Sequence, residues 1–145
     1  MSRAAHTSLV LLLTLFAGAP AAQAAGEGTR YTATLTAGSE VPPAESKGTG
    51  SVTATYDPAS KRLSWTGRYE GLTGPTTAGH FHGPAAAGAN AGVLVPADVK
   101  ASPFSGEATL DDAKAADLQA GKMYFNIHTA ANPKGEIRGQ VEAAR

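Results

Sequence analysis

The sequence predicts an all-β domain, namely an antiparallel, Greek-key-like β-sandwich or barrel with one short helix. About seven or eight short segments alternate apolar and polar residues with the period of two that is typical of half-buried strands. Gly, Pro, Asn and Asp separate these segments and favour turns between them. Only one segment carries helix signals, so an arrangement of alternating strands and helices is not favoured.

The predicted strands follow from the alternation. Asp57-Pro58 favours a tight turn, which makes a hairpin of the two segments beside it. Trp65 lies among the inward apolar residues and is expected to anchor the core. The expected strands are 31–37, 51–56, 63–69, 80–82, 93–95, 104–110, 123–128 and 136–141, and the expected loops include 38–50, which is placed at the surface, and 85–92.

The single predicted helix spans 111–120. Asp111 or Asp112 can accept hydrogen bonds from its first amides, and its alanines favour the helical state. Gly121 stands where a left-handed residue ends many helices.

The N-terminus is expected to be a signal peptide over residues 1–24. Arg3 is followed by an apolar run from Leu9 to Ala17 and by the small-x-small site 22–24. The apolar run is shorter than the roughly 20 residues that span a bilayer. We therefore expect a secreted or periplasmic protein that begins at Ala25 and has no membrane anchor after cleavage.

Composition limits the partners of the mature chain, which is expected to be one domain over 25–145. Twelve Lys and Arg balance twelve Asp and Glu, and the charges are scattered, so nucleic acid is not an expected partner. Cysteine is absent. Disulfides and thiol chemistry are thereby excluded, and no motif of a serine hydrolase or a phosphate-binding loop is present.

The three histidines beyond the predicted signal peptide form the candidate site. In a strand, His80 and His82 share one face while Phe81 points to the other, and His128 lies in a second predicted strand. Three imidazoles with an open fourth position suit an exchangeable site for copper or zinc. Copper is favoured because it forms the stronger complexes with nitrogen ligands. Alternatively, the histidines belong to a polar network that only stabilises the fold.

Other polar residues are expected to support the site. Tyr124 and Asn126 share the face of His128 and are candidate hydrogen-bond partners of an imidazole. Glu136 and Arg138 share a face of the last strand. Arg138 would steer a small anion such as superoxide to the metal while Glu136 holds the Arg138 side chain in place. Alternatively, Glu136 and Arg138 form a structural ion pair.

Three motifs in this order resemble the CHRD domain, the module named after chordin. They are 80–85 (HFHGPA), 118–129 (LQAGKMYFNIHT) and 133–140 (PKGEIRGQ), and the resemblance covers about 31–141. It implies an exported, single-domain form of this module. In chordin the domain belongs to an extracellular antagonist of growth factors.

The pair His80 and His82 also resembles the His-x-His strand of copper-zinc superoxide dismutases. The zinc loop and the disulfide of that family have no counterpart in this sequence. This weaker likeness implies an open, copper-only site with superoxide dismutase-like activity. The competing hypothesis is a non-catalytic extracellular interaction or structural module.

Overall fold

The computed structural model describes residues 28–145, so the predicted signal peptide lies outside the described residues. Within this range the chain forms eight strands, one α-helix and one 3₁₀ turn. The strands are β1 (Thr29–Thr36), β2 (Thr49–Asp57), β3 (Arg62–Glu70), β4 (Thr76–His82), β5 (Val93–Ala97), β6 (Phe104–Thr109), β7 (Met123–Thr129) and β8 (Ile137–Ala143); the helix α1 is Asp112–Gln119 and the 3₁₀ turn is Ala37–Ser39. No helix in residues 28–145 is long and apolar enough to cross a membrane.

All eight strands belong to one antiparallel sheet, in the order β5-β4-β7-β8-β1-β2-β3-β6. The outer strands β5 and β6 approach each other, so the curved sheet nearly closes into a barrel. The prediction of an all-β antiparallel fold with one short helix is confirmed, and the barrel describes it better than two separate sheets.

Aromatic side chains fill the interior of the sheet. The Trp65 ring packs edge-on against Phe81 with ring centroids 5.1 Å apart, and Phe81 packs against Phe125 at 4.8 Å. Trp65 is buried as expected. Phe81 thereby attaches the histidine strand β4 to the core.

The outer face of β4, β7 and β8 is polar. The register places His80 beside Asn126 and Asn126 beside Arg138, so alternate residues of the three strands form one row of polar side chains. Asn126 and Arg138 are nevertheless 2% exposed. Loops therefore cover part of this outer face.

Local signals in the sequence account for the turn and the helix. Asp57 Oδ1 accepts a hydrogen bond from the Ala59 amide at 2.9 Å, which closes the β2–β3 hairpin as predicted. Asp111 Oδ1 accepts from the Lys114 amide at 2.8 Å and caps α1. Gly121 follows the helix with a φ of 67°.

The segment 38–50 is a surface loop over most of its length, as predicted, and differs from the prediction at its two ends and at Glu40. It begins inside a 3₁₀ turn that packs against β8, and its last two residues already belong to β2. Glu40 is only 5% exposed, because this packing places its side chain against the outer face of the sheet.

Candidate metal centre

The structure brings the three predicted histidines together at one place on the outer face. His80 and His82 extend from β4 and His128 from β7, the neighbouring strand. One ring nitrogen of each lies within 4.8 Å of the others. His82 is buried, whereas His80 and His128 are partly exposed, so the cluster is open on one side.

The His80 and His128 rings approach each other edge-on, at an interplanar angle of 70°, through one nitrogen of each ring. His128 Nδ1 donates to the Pro133 carbonyl at 3.0 Å, because a carbonyl oxygen can only accept. In neutral His128 the lone pair therefore lies on Nε2, which is 3.3 Å from His80 Nδ1. Two nitrogens bound to one tetrahedral ion at about 2.05 Å lie about 3.3 Å apart, so the separation of these two nitrogens matches that of two ligands of one ion.

His82 is held at both ring nitrogens. Nδ1 donates to the Ala91 carbonyl at 3.0 Å, and Nε2 lies 3.0 Å from Asn126 Oδ1. Asn126 is thus an imidazole partner, of the kind expected from the sequence. To bind a metal through Nε2, His82 has to exchange the Asn126 contact for the ion.

Tyr124 lies in a stack between His82 and Arg138. Its ring is parallel to the His82 ring with centroids 4.7 Å apart, and the Arg138 guanidinium carbon lies 3.4 Å from the Tyr124 centroid. Because β7 lies between β4 and β8, the two neighbours approach the ring from opposite sides. The Tyr124 hydroxyl bonds to Ala91 rather than to an imidazole.

Arg138 is 2% exposed and bonds to uncharged groups of the loop 85–92. Its guanidinium donates to Asn90 Oδ1 at 2.9 Å and to the Ala89 carbonyl at 2.5 Å. These bonds hold the loop over His82. The Tyr124 ring lies between the Arg138 guanidinium and the His82 ring.

The ion pair considered between Glu136 and Arg138 is not formed. The Glu136 carboxylate instead accepts hydrogen bonds from four side chains and one backbone amide. The donors are Ser46 Oγ, the Thr73 amide and hydroxyl, Thr129 Oγ1 and Asn132 Nδ2. Because these donors satisfy the buried carboxylate, it needs no cation, and it contacts Thr129 rather than a histidine.

The surroundings of His80 and His82 favour the neutral form of these two side chains. Burial lowers the pKa of His80, and the neighbouring His128 and His82 lower it further. Burial also lowers the pKa of His82, although its hydrogen bonds to Ala91 and Asn126 act in the opposite direction. Neutral imidazole is the form that binds a metal.

Two parts of this site could not be recognised in the sequence. Glu40 Oε1 lies 3.4 Å from Asn126 Nδ2, so a carboxyl group from the segment after β1 reaches the partner of His82. Ala91 contributes only backbone atoms. No residue type signals a backbone contact, and Glu40 stands among loop-like residues.

Comparison with known families matches residues 31–141 to the CHRD domain. This range covers most of the chain and all eight strands apart from the ends of β1 and β8. The chain belongs to the CHRD domain family. The resemblance read from the three motifs is thereby confirmed, and the motif residues His80, His82 and His128 form the cluster described above. No curated protein and no solved structure shows significant similarity to this CHRD domain.

Proposed function

We propose that this CHRD domain is an exported protein that binds one transition metal ion through His80, His82 and His128. The observation that carries the proposal is the convergence of three imidazole nitrogens within 4.8 Å, on a rigid sheet and open on one side. Carbonyl acceptors orient two of the rings through their Nδ1 atoms. Such outer contacts are typical of metal-binding histidines.

Copper is favoured over zinc as the bound ion. Copper(II) binds a given set of nitrogen ligands more strongly than zinc, and imidazole suits both ions. The 3.3 Å between the His80 and His128 nitrogens matches the separation in a tetrahedral site, whereas adjacent nitrogens of a square copper(II) site lie about 2.8 Å apart. Copper(II) would therefore draw the two rings together by about half an ångström.

The test is uptake of Cu(II) and Zn(II) by the metal-free protein, measured by calorimetry and by metal analysis after dialysis. Wild type should bind one ion, and the variants H80A, H82A and H128A should each bind at least ~10-fold more weakly. Lys134→Ala, at an exposed site in the turn after His128, serves as the control. Wild type without stoichiometric uptake, or histidine variants with full uptake, would contradict the proposal.

Superoxide dismutase-like activity is the catalytic extension of this proposal. Dismutation requires a redox-active ion with an exchangeable position, and three protein ligands leave such a position. Anion steering by Arg138 stays a prediction, although its charge lies behind Tyr124. Lys100 lines a cleft beside His80 and offers a comparison.

The activity is tested by a superoxide assay on the copper-loaded protein at low and high ionic strength. If charge steers the substrate, charge reversal of the steering residue should slow the reaction more at low ionic strength. R138E and K100E are compared, with metal content measured for each. Copper uptake without dismutation would support the metal-binding function and exclude only the catalytic activity.

The second candidate function is a non-catalytic extracellular interaction module. The observation that favours it is that both ring nitrogens of His82 already have hydrogen-bond partners without a metal. In that case H80Q lowers the melting temperature equally with and without added metal. Stabilisation of wild type by metal, lost in H80Q, would exclude this alternative.

A further inference from the structure

Two buried side chains of opposite charge line one cleft on the outer face of the barrel. Glu40 is 5% exposed and Arg138 is 2% exposed, and both contribute to the lining of a cleft of about 420 Å³. They do not form an ion pair with each other, and the ion pairs formed within residues 28–145 involve neither of them. The volume lies in the range of small-molecule sites, so the cleft is large enough for a small ligand.

The cleft is built from three separate parts of the chain. Its floor is the outer face of the paired strands β1 and β8. One wall is the segment 38–43 and the other is the loop 85–92. Asn90 Nδ2 donates to the Val41 carbonyl at 2.9 Å and thereby connects the two walls. The fold therefore holds both sides of the cleft in place.

The Glu40 carboxyl group lacks the partners that a buried carboxylate needs. Its one side-chain hydrogen bond within the described part of the chain is the 3.4 Å contact of Oε1 with Asn126 Nδ2. Burial raises the pKa of Glu40 to about 7, even though Arg138 and Asn126 lower it. An ammonium group has three N–H donors, so a ligand ammonium would supply the missing hydrogen bonds and favour the carboxylate.

The Arg138 guanidinium lacks an anion. It donates to Asn90 Oδ1 and to the Ala89 carbonyl and stacks on the Tyr124 ring, all of which are uncharged. These two bonds use two of the five N–H donors of a guanidinium. A carboxylate is planar and matches the guanidinium geometry, so it is the partner that this cation favours.

A ligand with a single charge does not suit this cleft. An amine is attracted by Glu40 but repelled by Arg138, and a carboxylate meets the reverse. A zwitterion pairs both buried charges and leaves the site neutral. In a free α-amino acid the ammonium and the carboxylate are attached to the same carbon. Val41, Pro43 and Ala87 provide an apolar lining for a small side chain.

We propose that this cleft binds a free α-amino acid with a small, uncharged side chain, whose ammonium group binds Glu40 and whose carboxylate binds Arg138. This goes beyond the proposed function, because none of the three histidines lines the cleft. Amino-acid binding therefore requires no metal.

The first experiment titrates the purified wild-type protein with L-alanine and follows the backbone amide signals by NMR. N-acetyl-L-alanine, which lacks the ammonium group, and L-alaninamide, which lacks the carboxylate, are the comparison ligands. A chelator is present, because free amino acids also bind copper and zinc. Alanine should shift signals of the segments 38–43 and 85–92, and each blocked ligand should bind at least ~10-fold more weakly. No binding of alanine at millimolar concentration, or equal binding of the three ligands, would overturn the proposal.

Two variants test which charge recognises which group. Glu40→Gln should bind alanine at least ~10-fold more weakly and should lose the preference for alanine over N-acetylalanine. Arg138→Met should instead lose the preference for alanine over alaninamide. Glu45→Gln, at an exposed position shortly after Glu40, is the matched control and should bind alanine as wild type does. Full alanine affinity in Glu40→Gln would exclude the assigned role of Glu40.

The amino-acid site and the proposed function fail separately. If wild type takes up no metal, the proposed function is wrong, and the alanine titration still decides the amino-acid site because it is carried out without metal. If Arg138→Met does not fold, the three ligands on wild type and on Glu40→Gln still decide the proposal.

Discussion

Glu136 and Glu40 are both buried, and their environments act on them in opposite ways. Burial raises the pKa of each carboxyl group, but hydrogen bonds from Ser46, Thr129 and Thr73 lower that of Glu136 to about 2. Glu40 has one long bond to Asn126, and its pKa remains at about 7. The fold therefore stabilises the ionised form of Glu136 and the protonated form of Glu40.

Replacement of Glu136 by Gln should destabilise the fold at neutral pH. A pKa lowered from 4.5 to about 2 corresponds to about 3 kcal/mol of stability, which is present above pH 4.5 and lost as the pH falls toward 2. Denaturant unfolding of E136Q at pH 7 should show a loss of about this size, and the difference from wild type should shrink near pH 2. A constant difference across this range would show that the carboxylate charge does not stabilise the fold.

Replacement of Glu40 by Gln should have the opposite pH dependence. Because the folded pKa of Glu40 lies above the ordinary value, its contribution is present below pH 4.5 and is lost as the pH rises through 7. The free energy of unfolding of E40Q minus that of wild type should therefore be about 2–3 kcal/mol larger at pH 8 than at pH 4. The measurement is denaturant unfolding at both values, with the exposed Glu45→Gln as control.

At the scale of single elements, the turn between β7 and β8 links the core to the candidate site. His128 Nδ1 bonds to Pro133 within this turn, and Gly135 lies directly against Glu40 and Asn126. The turn is thus part of the site as well as a connection. Its geometry depends on the positive φ of Gly135.

Gly135→Ala should be more damaging than Gly121→Ala. Gly121 has a left-handed φ of 67°, which costs an alanine roughly 1–2 kcal/mol, and the φ of 129° at Gly135 is at least as unfavourable for alanine. At Gly121 the added methyl group meets open space, whereas at Gly135 it collides with the Glu40 carboxyl. We expect a larger fall in melting temperature for G135A, together with weaker Zn(II) binding, and unchanged Zn(II) binding for G121A. Equal losses of stability would mean that the contact with Glu40 has no energetic role.

At the scale of the whole molecule, the features that can be predicted from the sequence are those that depend on local periodicity. The alternation around Phe81 correctly separated the inward ring from the outward histidines, and Asp57 and Asp111 marked a turn and a helix start. These signals come from neighbours in the chain. These local signals therefore predict the strands, the single helix and the inward and outward faces of β4.

The rest depends on contacts between distant segments. Glu40 and Asn126 are 86 positions apart, and neither period nor composition indicates that they meet. Arg138 was correctly placed on an outward face, but its burial results from the loop 85–92, which has almost no side-chain pattern. The order of the strands determines these encounters, and alternation does not encode that order.

The pairing of β1 with β8 also bears on how the domain can be re-engineered. Tyr31 is opposite Ala143, and the Ala144 amide donates to the Arg30 carbonyl at 2.8 Å, so the two ends of the barrel chain lie side by side. A short Gly-Ser linker between them, with new termini opened in the exposed turn 58–60, gives a circular permutant in which every strand keeps its neighbours. The permutant should keep the β-type circular dichroism spectrum and the Zn(II) affinity of the original chain order. Since β4, β7 and β8, which carry the histidines, follow β3 in the same order in both chains, the permutation leaves the strands of the candidate site unchanged.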